Sequence, residues 1–263
     1  MQEIDPLWLL YPTIVVTVSF GLVVLWHRRH KFAWAVLIYA FVAYAGAIAA
    51  KDVLQLLTYD PLKAAVSGNP FPLGIYFGIQ TVVFEVGGAY FVASYAVRRK
   101  RLGEGDAVAY GMGLSLWENG VLLGILPLIN LVSYYAILSS GSSSLGQLVY
   151  NALLSSQPSL FDPPLEALRL AGLAVLERIS SMLLHISWGW LTLLAAFYGR
   201  PRYLAVALPM GLIDALVPFA NDIGIVAFEA IIFVISAIAL GAAILIASRV
   251  RSNAMGRPQA GIT

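Results

Sequence analysis

The sequence predicts an all-α fold, a polytopic bundle of about seven transmembrane helices, and three observations carry that expectation. Of the 263 residues, 60% are hydrophobic and 11% charged, whereas soluble domains carry about 25% charged residues. The apolar residues gather into runs near the ~20 residues that a helix needs to cross a bilayer. Between the runs the basic residues alternate sides: Arg28, Arg29, Lys31, Arg98, Arg99, Lys100, Arg101, Arg200, Arg202, Arg249, Arg251 and Arg257, twelve of the 16 Lys and Arg, all fall on one side. The other side holds Glu3, Asp5, Asp52, Asp60, Asp162, Glu166 and Asp222, with Lys51 and Lys63. The positive-inside rule then places the N-terminus outside and the C-terminus in the cytoplasm.

The first run, Leu7 to Trp26, ends at the basic HRRHK, and the second spans Phe32 to Ala50. Residues 51 to 70 are mixed, and VLQLLTY (Val53 to Tyr59) within them has the pattern of an interfacial amphipathic piece. The third run, Phe71 to Val97, stops at RRKR and the turn GEGD. The fourth is uncharged from about Ala107 to Leu138 except at Glu118, too long for one straight span, with Pro127 and Asn130 expected to kink or end it. Ser139 to Pro164 reads as a loop rich in Ser, Gly and Pro. The fifth run is Leu165 to Tyr198, the sixth Tyr203 to about Ala220, and the seventh Ile223 to Ser248. The expected organisation is one transmembrane domain over residues 1–250, followed by a short polar cytoplasmic tail over 251–263. MQEIDP is acidic and precedes a run long enough to span, so no cleavable signal peptide is expected. The implied setting is the cell membrane, with the lipid bilayer as partner and no nucleic acid.

Composition excludes several chemistries. With no cysteine, disulfides, iron–sulfur clusters and thiolate metal sites are absent. No lysine follows Lys100, so retinal has no Schiff-base partner in the last span, and His185 is the one histidine away from a membrane edge, so a haem held by two histidines is excluded. With one such histidine and no HExxH, no metal and no cofactor are expected, and any metal would rest on His185 plus carboxylates. No GxSxG surrounds Ser115, Ser181 or Ser187.

What remains is a polar constellation inside apolar runs. Leu176 to Trp190 holds Glu177, Arg178 and His185, and charge in hydrocarbon costs roughly 2.5–3.5 kcal/mol per residue on insertion scales. Glu177, Ser181 and His185 climb one helix side in steps of four. Glu85 lies thirteen residues before Arg98, Glu118 twelve after Asp106, His185 fifteen before Arg200 and Asp214 twelve after Arg202. At about 1.5 Å per residue, all four reach mid-bilayer. Glu177 and Glu229 lie nearer the outer face. One shared polar site formed by spans three to six is expected, with Glu177 and Arg178 as a supporting pair and Glu229 structural. Buried carboxylates also serve as packing glue between helices, and that reading stands beside the functional one. A pair of buried acids can divide the labour of water activation or of proton transfer, one holding a proton while the other accepts one.

The segments FEVGGAY (Phe84 to Tyr90), GMGLSLWENGVLLG (Gly111 to Gly124), ERISSMLLHIS (Glu177 to Ser187) and PMGLIDALVPF (Pro209 to Phe219), in this order and spacing, resemble the YhfC-type membrane peptidases, in the wider clan of glutamic intramembrane proteases. The resemblance covers about residues 70 to 220 and is most specific at ER-x6-H. It implies a hydrolytic site of Glu85, Glu118, His185 and Asp214 supported by Glu177, Arg178 and Asn119, with Glu85 or Glu118 activating water and His185 or Asn119 supporting the oxyanion. The substrate it implies is a membrane protein or lipopeptide. Val86, Ala89, Leu114 and Met210 stand where the family pattern has a second glutamate, an arginine and two histidines. Three readings follow: an intramembrane peptidase, a peptidase-fold scaffold whose Leu114 and Met210 fill the old cavity, and a small proton-coupled carrier, for which an internal repeat would be expected.

Overall fold

A computed structural model describes residues 4–67, 69–139 and 144–255. Among these residues every regular element is helical. Seven helical segments are long and apolar enough to cross a membrane: Pro6–His30, Ala35–Ala65, Pro70–Arg98, Glu104–Ser139, Pro164–Tyr198, Pro201–Ile223 and Ile225–Val250, here spans one to seven. The protein is a multi-pass integral membrane protein.

Several boundaries differ from the sequence expectation. Span two continues through VLQLLTY to Ala65, so that stretch is the last part of a crossing helix and not a separate interfacial piece. Nothing between Lys51 and Pro61 breaks a helix, and the helix carries Pro61 within its last turns. Span four is continuous, and its irregularity lies at Leu116–Ile125, which winds as a π-helix, ahead of Pro127 rather than at it. A π winding moves each amide to a carbonyl one residue further back, which eases the clash between a following proline ring and the carbonyl four residues before it. The expected 139–164 loop contains a helix, Ser144–Ser156, and a short 3-10 turn, Pro158–Phe161. The helix of span seven runs on to Met255, so the first residues of the expected tail prolong it, and residues 256–263 lie outside those described.

Two clusters hold the bundle together. The smaller packs Ile4 against Leu131, Leu153, Leu160 and Phe161, and the Tyr135 hydroxyl donates to the Asp5 carbonyl at 2.7 Å. The start of span one, the end of span four and the start of span five therefore share one end of the bundle, as alternating crossings require. The larger cluster surrounds span five. Its most apolar 18-residue window is 72% buried, against 11–28% for the other six spans, so span five is the hub. Small residues let span four approach it. A Cβ on Gly189 would lie 2.5 Å from Gly111 Cα, and one on Gly111 would lie 2.4 Å from the Ile186 carbonyl oxygen. Backbones that close can be reached only without side chains, and in lipid such packing replaces the hydrophobic drive that helices have in water.

Spans three and six also meet closely: a Cβ on Gly74 would lie 2.4 Å from the Ala215 carbonyl oxygen. Both helices leave the α winding here. Thr81–Val86 in span three is π-helical, and Leu208–Phe219 in span six is 3-10. Pro209 and Pro218 account for much of the second departure, since each removes an amide donor from the ladder.

Candidate active site

Three of the four expected mid-membrane groups stand on these irregular windings. Glu85 is in the π turn of span three, Glu118 in the π stretch of span four, and Asp214 in the 3-10 stretch of span six. His185 alone stands on a regular α-helix, in the buried middle of span five. Single-turn departures of this kind re-aim side chains and are frequent at functional sites.

The depth match becomes a spatial one. Donor atoms of Glu85, Glu118 and His185 lie within 4.8 Å of one another. His185 Nε2 is 2.6 Å from Glu118 Oε2 and 3.4 Å from Glu85 Oε2. Behind the ring, Nδ1 is 2.9 Å from the Ser181 carbonyl oxygen and 3.3 Å from Ser181 Oγ. A carbonyl can only accept, so Nδ1 carries a proton that points at it, and Nε2 faces the two carboxylates with a lone pair in the neutral ring or with a second proton in the charged one. Neither Nε2 nor Glu118 Oε2 has an aligned hydrogen-bond partner among the described residues.

The outer oxygens are held from behind. Lys51 Nζ hydrogen-bonds Glu85 Oε1. Arg178 Nη1 lies 3.5 Å from Glu118 Oε1, and the Ser181 hydroxyl donates to the same oxygen at 3.3 Å. Each carboxylate thus turns one oxygen to a protein cation and the other to a point it shares with His185 Nε2. Three lone-pair donors facing one point repel one another unless a proton or a cation lies between them.

Asp214 joins through a bridge. Thr81 donates to its carboxylate, Lys51 Nζ is 2.9 Å from Thr81 Oγ1, and Lys51 Nζ is 3.6 Å from Asp214 Oδ2. The expected supporting pair is present: Arg178 is ion-paired to Glu177, whose side chain is 48% exposed, and bridges it to Glu118. Asn119 is fully buried and its amide donates to Ser181 Oγ at 3.2 Å, behind His185, so it steadies the ring's partner rather than facing a substrate.

Lys51, Glu85, Glu118, Arg178, His185 and Asp214 line a cavity of about 200 Å³, walled by Ile48, Leu184, Trp188 and Phe228. Leu114 and Met210 are absent from the lining and pack instead with the main core, so they do not fill the site. Sequence reading missed two of the lining residues. Lys51, counted as a loop charge beyond the second run, is the cation of the Glu85–Asp214 pair. The signal was there: no helix breaker separates it from the run it follows. Glu229, read as structural, is 3% exposed, faces the same cavity from span seven and leaves Oε2 without a partner among the described residues.

The profile of the YhfC intramembrane metalloprotease family matches residues 14–248, most of the chain. The chain belongs to this family. No curated protein and no solved structure matches it. The YhfC family description implies a metal, which counting histidines and cysteines along the chain did not lead one to expect. The residues present fit one. A catalytic zinc site has three protein donors from His and carboxylates and keeps a fourth position open. In this YhfC chain the three clustered ligand atoms supply such a set once His185 Nε2 is free of a proton, and each donor residue has its own orienting partner in Ser181, Lys51 or Arg178, the outer support that metal ligands require.

Proposed function

We propose that the protein is an intramembrane peptidase that hydrolyses peptide bonds in or near the bilayer, at the point shared by Glu85, Glu118 and His185. The observation that carries this reading is the convergence of three lone-pair donors from three spans on one open cavity, each fixed from behind. Glu85, Glu118 and His185 would hold a divalent cation, which would supply Lewis-acid chemistry for polarising a carbonyl and acidifying a water. The chain's own groups do the rest. Asp214, outside the cluster but in the same cavity, takes the proton of the attacking water and returns it to the leaving amine. Lys51, 3.6 Å from Asp214 Oδ2, and Arg178 place positive charge where negative charge develops in the transition state. Ser181 holds the His185 ring in the orientation that leaves Nε2 available. The apolar walls restrict water to the reacting volume and suit a membrane-anchored protein or lipopeptide substrate. The run of basic residues at one end of the bundle orients that end to the cytoplasm, with the N-terminus outside. The open cavity favours this reading over a non-catalytic scaffold.

The test is cleavage of an internally quenched membrane-anchored peptide by the purified protein in proteoliposomes. Wild type cleaves it, while Glu118→Gln and Asp214→Asn each lose about 10²–10⁴-fold. Cleavage by Glu118→Gln at the wild-type rate would refute the assignment.

A further inference from the structure

The cavity that holds the hydrolytic point also holds a carboxylate with no part in hydrolysis. Glu229 reaches into it from span seven, is 3% exposed, and leaves Oε2 without a hydrogen-bond partner among the described residues. We propose that Glu229 binds a cationic side chain of the substrate, a lysine or arginine several residues from the scissile bond, an assignment that rests on the hydrolytic reading of the cavity.

Charge is the first argument. Among the described residues, five carboxylates line the cavity against two protein cations, Lys51 and Arg178. Both cations are engaged. Lys51 is shared by Glu85 and Asp214, and Arg178 by Glu118 and Glu177, so Glu229 has neither. With or without a divalent ion at the hydrolytic point, negative charge is left over. A buried carboxylate is costly unless it is paired and hydrogen-bonded, and a ligand that brings a cation to Glu229 removes that cost.

Place is the second. The charges whose field reaches Glu229 are those of Glu177 and Arg178. It therefore stands with them at the outer level of the cavity, where the Glu177 side chain is 48% exposed. Glu177 precedes His185 by eight residues on one α-helix, about 12 Å at about 1.5 Å per residue. An extended peptide covers that distance in about four residues at about 3.3 Å each. A bond held beside His185 thus puts a residue about four positions away next to Glu229.

Fit is the third. Phe228 beside Glu229, and Ile232 a turn further on, line the same cavity. Lysine and arginine lay their methylene stems along apolar side chains of this kind while the charged head meets a polar partner.

The test uses the full chain in proteoliposomes with internally quenched, membrane-anchored peptides. The peptides are alike except at one residue about four positions from the cleaved bond, on either side of it, which is lysine in one and methionine in the other. Mass spectrometry locates the cleaved bond. For one of the two placements, wild type cleaves the lysine peptide with kcat/KM about tenfold above that of the methionine peptide, and the difference lies in KM. Glu229→Gln brings that ratio to about one by raising KM for the lysine peptide. Should Glu229→Gln fail to fold, Glu229→Asp decides, with the ratio reduced to about threefold because the shorter carboxylate meets the cation less closely. A carboxylate that only packs span seven against the bundle would, when changed, slow both peptides alike and leave the ratio as in wild type, which overturns the proposal. Wild type that cleaves both peptides without preference overturns the cation site alone, whereas wild type that cleaves neither overturns the hydrolytic reading and this site with it.

Discussion

Two helix contacts define the site from opposite sides, and they are built differently. Where span four meets span five, glycines remove the side chains between two backbones, and span five stays α-helical throughout. His185 stands there on the regular helix, with Ser181 one turn before it holding Nδ1. Where span three meets span six, glycine again brings the backbones together, but both helices abandon the α winding at the contact and carry Glu85 and Asp214 on the distorted turns. One contact holds the histidine in place and the other turns acids inward. Rigidity comes from close, regular packing, while the aim of the carboxylates comes from local departures that the rest of the bundle must stabilise.

The contrast can be broken at its most charged point. Lys51→Met leaves Glu85 and Asp214 facing each other without their cation, and removing one partner of a buried pair costs about 3–5 kcal/mol. A thermal unfolding series in detergent should show that loss, and Lys51→Arg should recover part of it. Recovery by methionine itself would mean that the bridge is ornamental. The two glycine contacts separate stability from activity. Gly111→Ala places a methyl against the Ile186 backbone, and overpacking of this kind costs about 1–3 kcal/mol. Gly211→Ala meets Val82 N at 3.0 Å, a contact that a small shift relieves. It should therefore unfold near the wild-type temperature yet cleave more slowly, because the shift moves the turn that carries Glu85. Equal stability losses at the two glycines would remove the distinction between the contacts. The smallest effect is expected at Glu177→Gln. Its side chain is 48% exposed and its partner Arg178 keeps Glu118, so unfolding should change by less than about 1 kcal/mol and cleavage by little.

The seven spans were legible because apolar runs and alternating charge are properties of sequence alone. Glu85, Glu118, His185 and Asp214 were legible together because a residue's depth can be counted from the nearest membrane edge. Lys51 was not, since the second helix runs on past its apolar stretch, and a lysine just beyond a run looks like a loop charge until the helix is seen to continue. The windings at Thr81–Val86 and Leu116–Ile125 were hidden because an apolar segment has no polar stripe whose period could betray a π turn. Pro127 attracted the expected break to itself, although the irregular stretch ends two residues before it. A metal was not expected from the sequence for a related reason. Histidines and cysteines can be counted along a chain, but whether one histidine and two glutamates from three spans come close enough to hold a cation is decided only in space.

The proposed binding of one cation by Glu85, Glu118 and His185 is tested most directly by metal content, read by elemental mass spectrometry on protein purified in detergent with its helix content checked in parallel. Wild type and Asp214→Asn are expected to retain about one divalent ion per chain, while His185→Ala and Glu118→Gln retain almost none. Wild-type protein that cleaves peptide while metal-free and indifferent to chelators, or His185→Ala that keeps its ion, would contradict it.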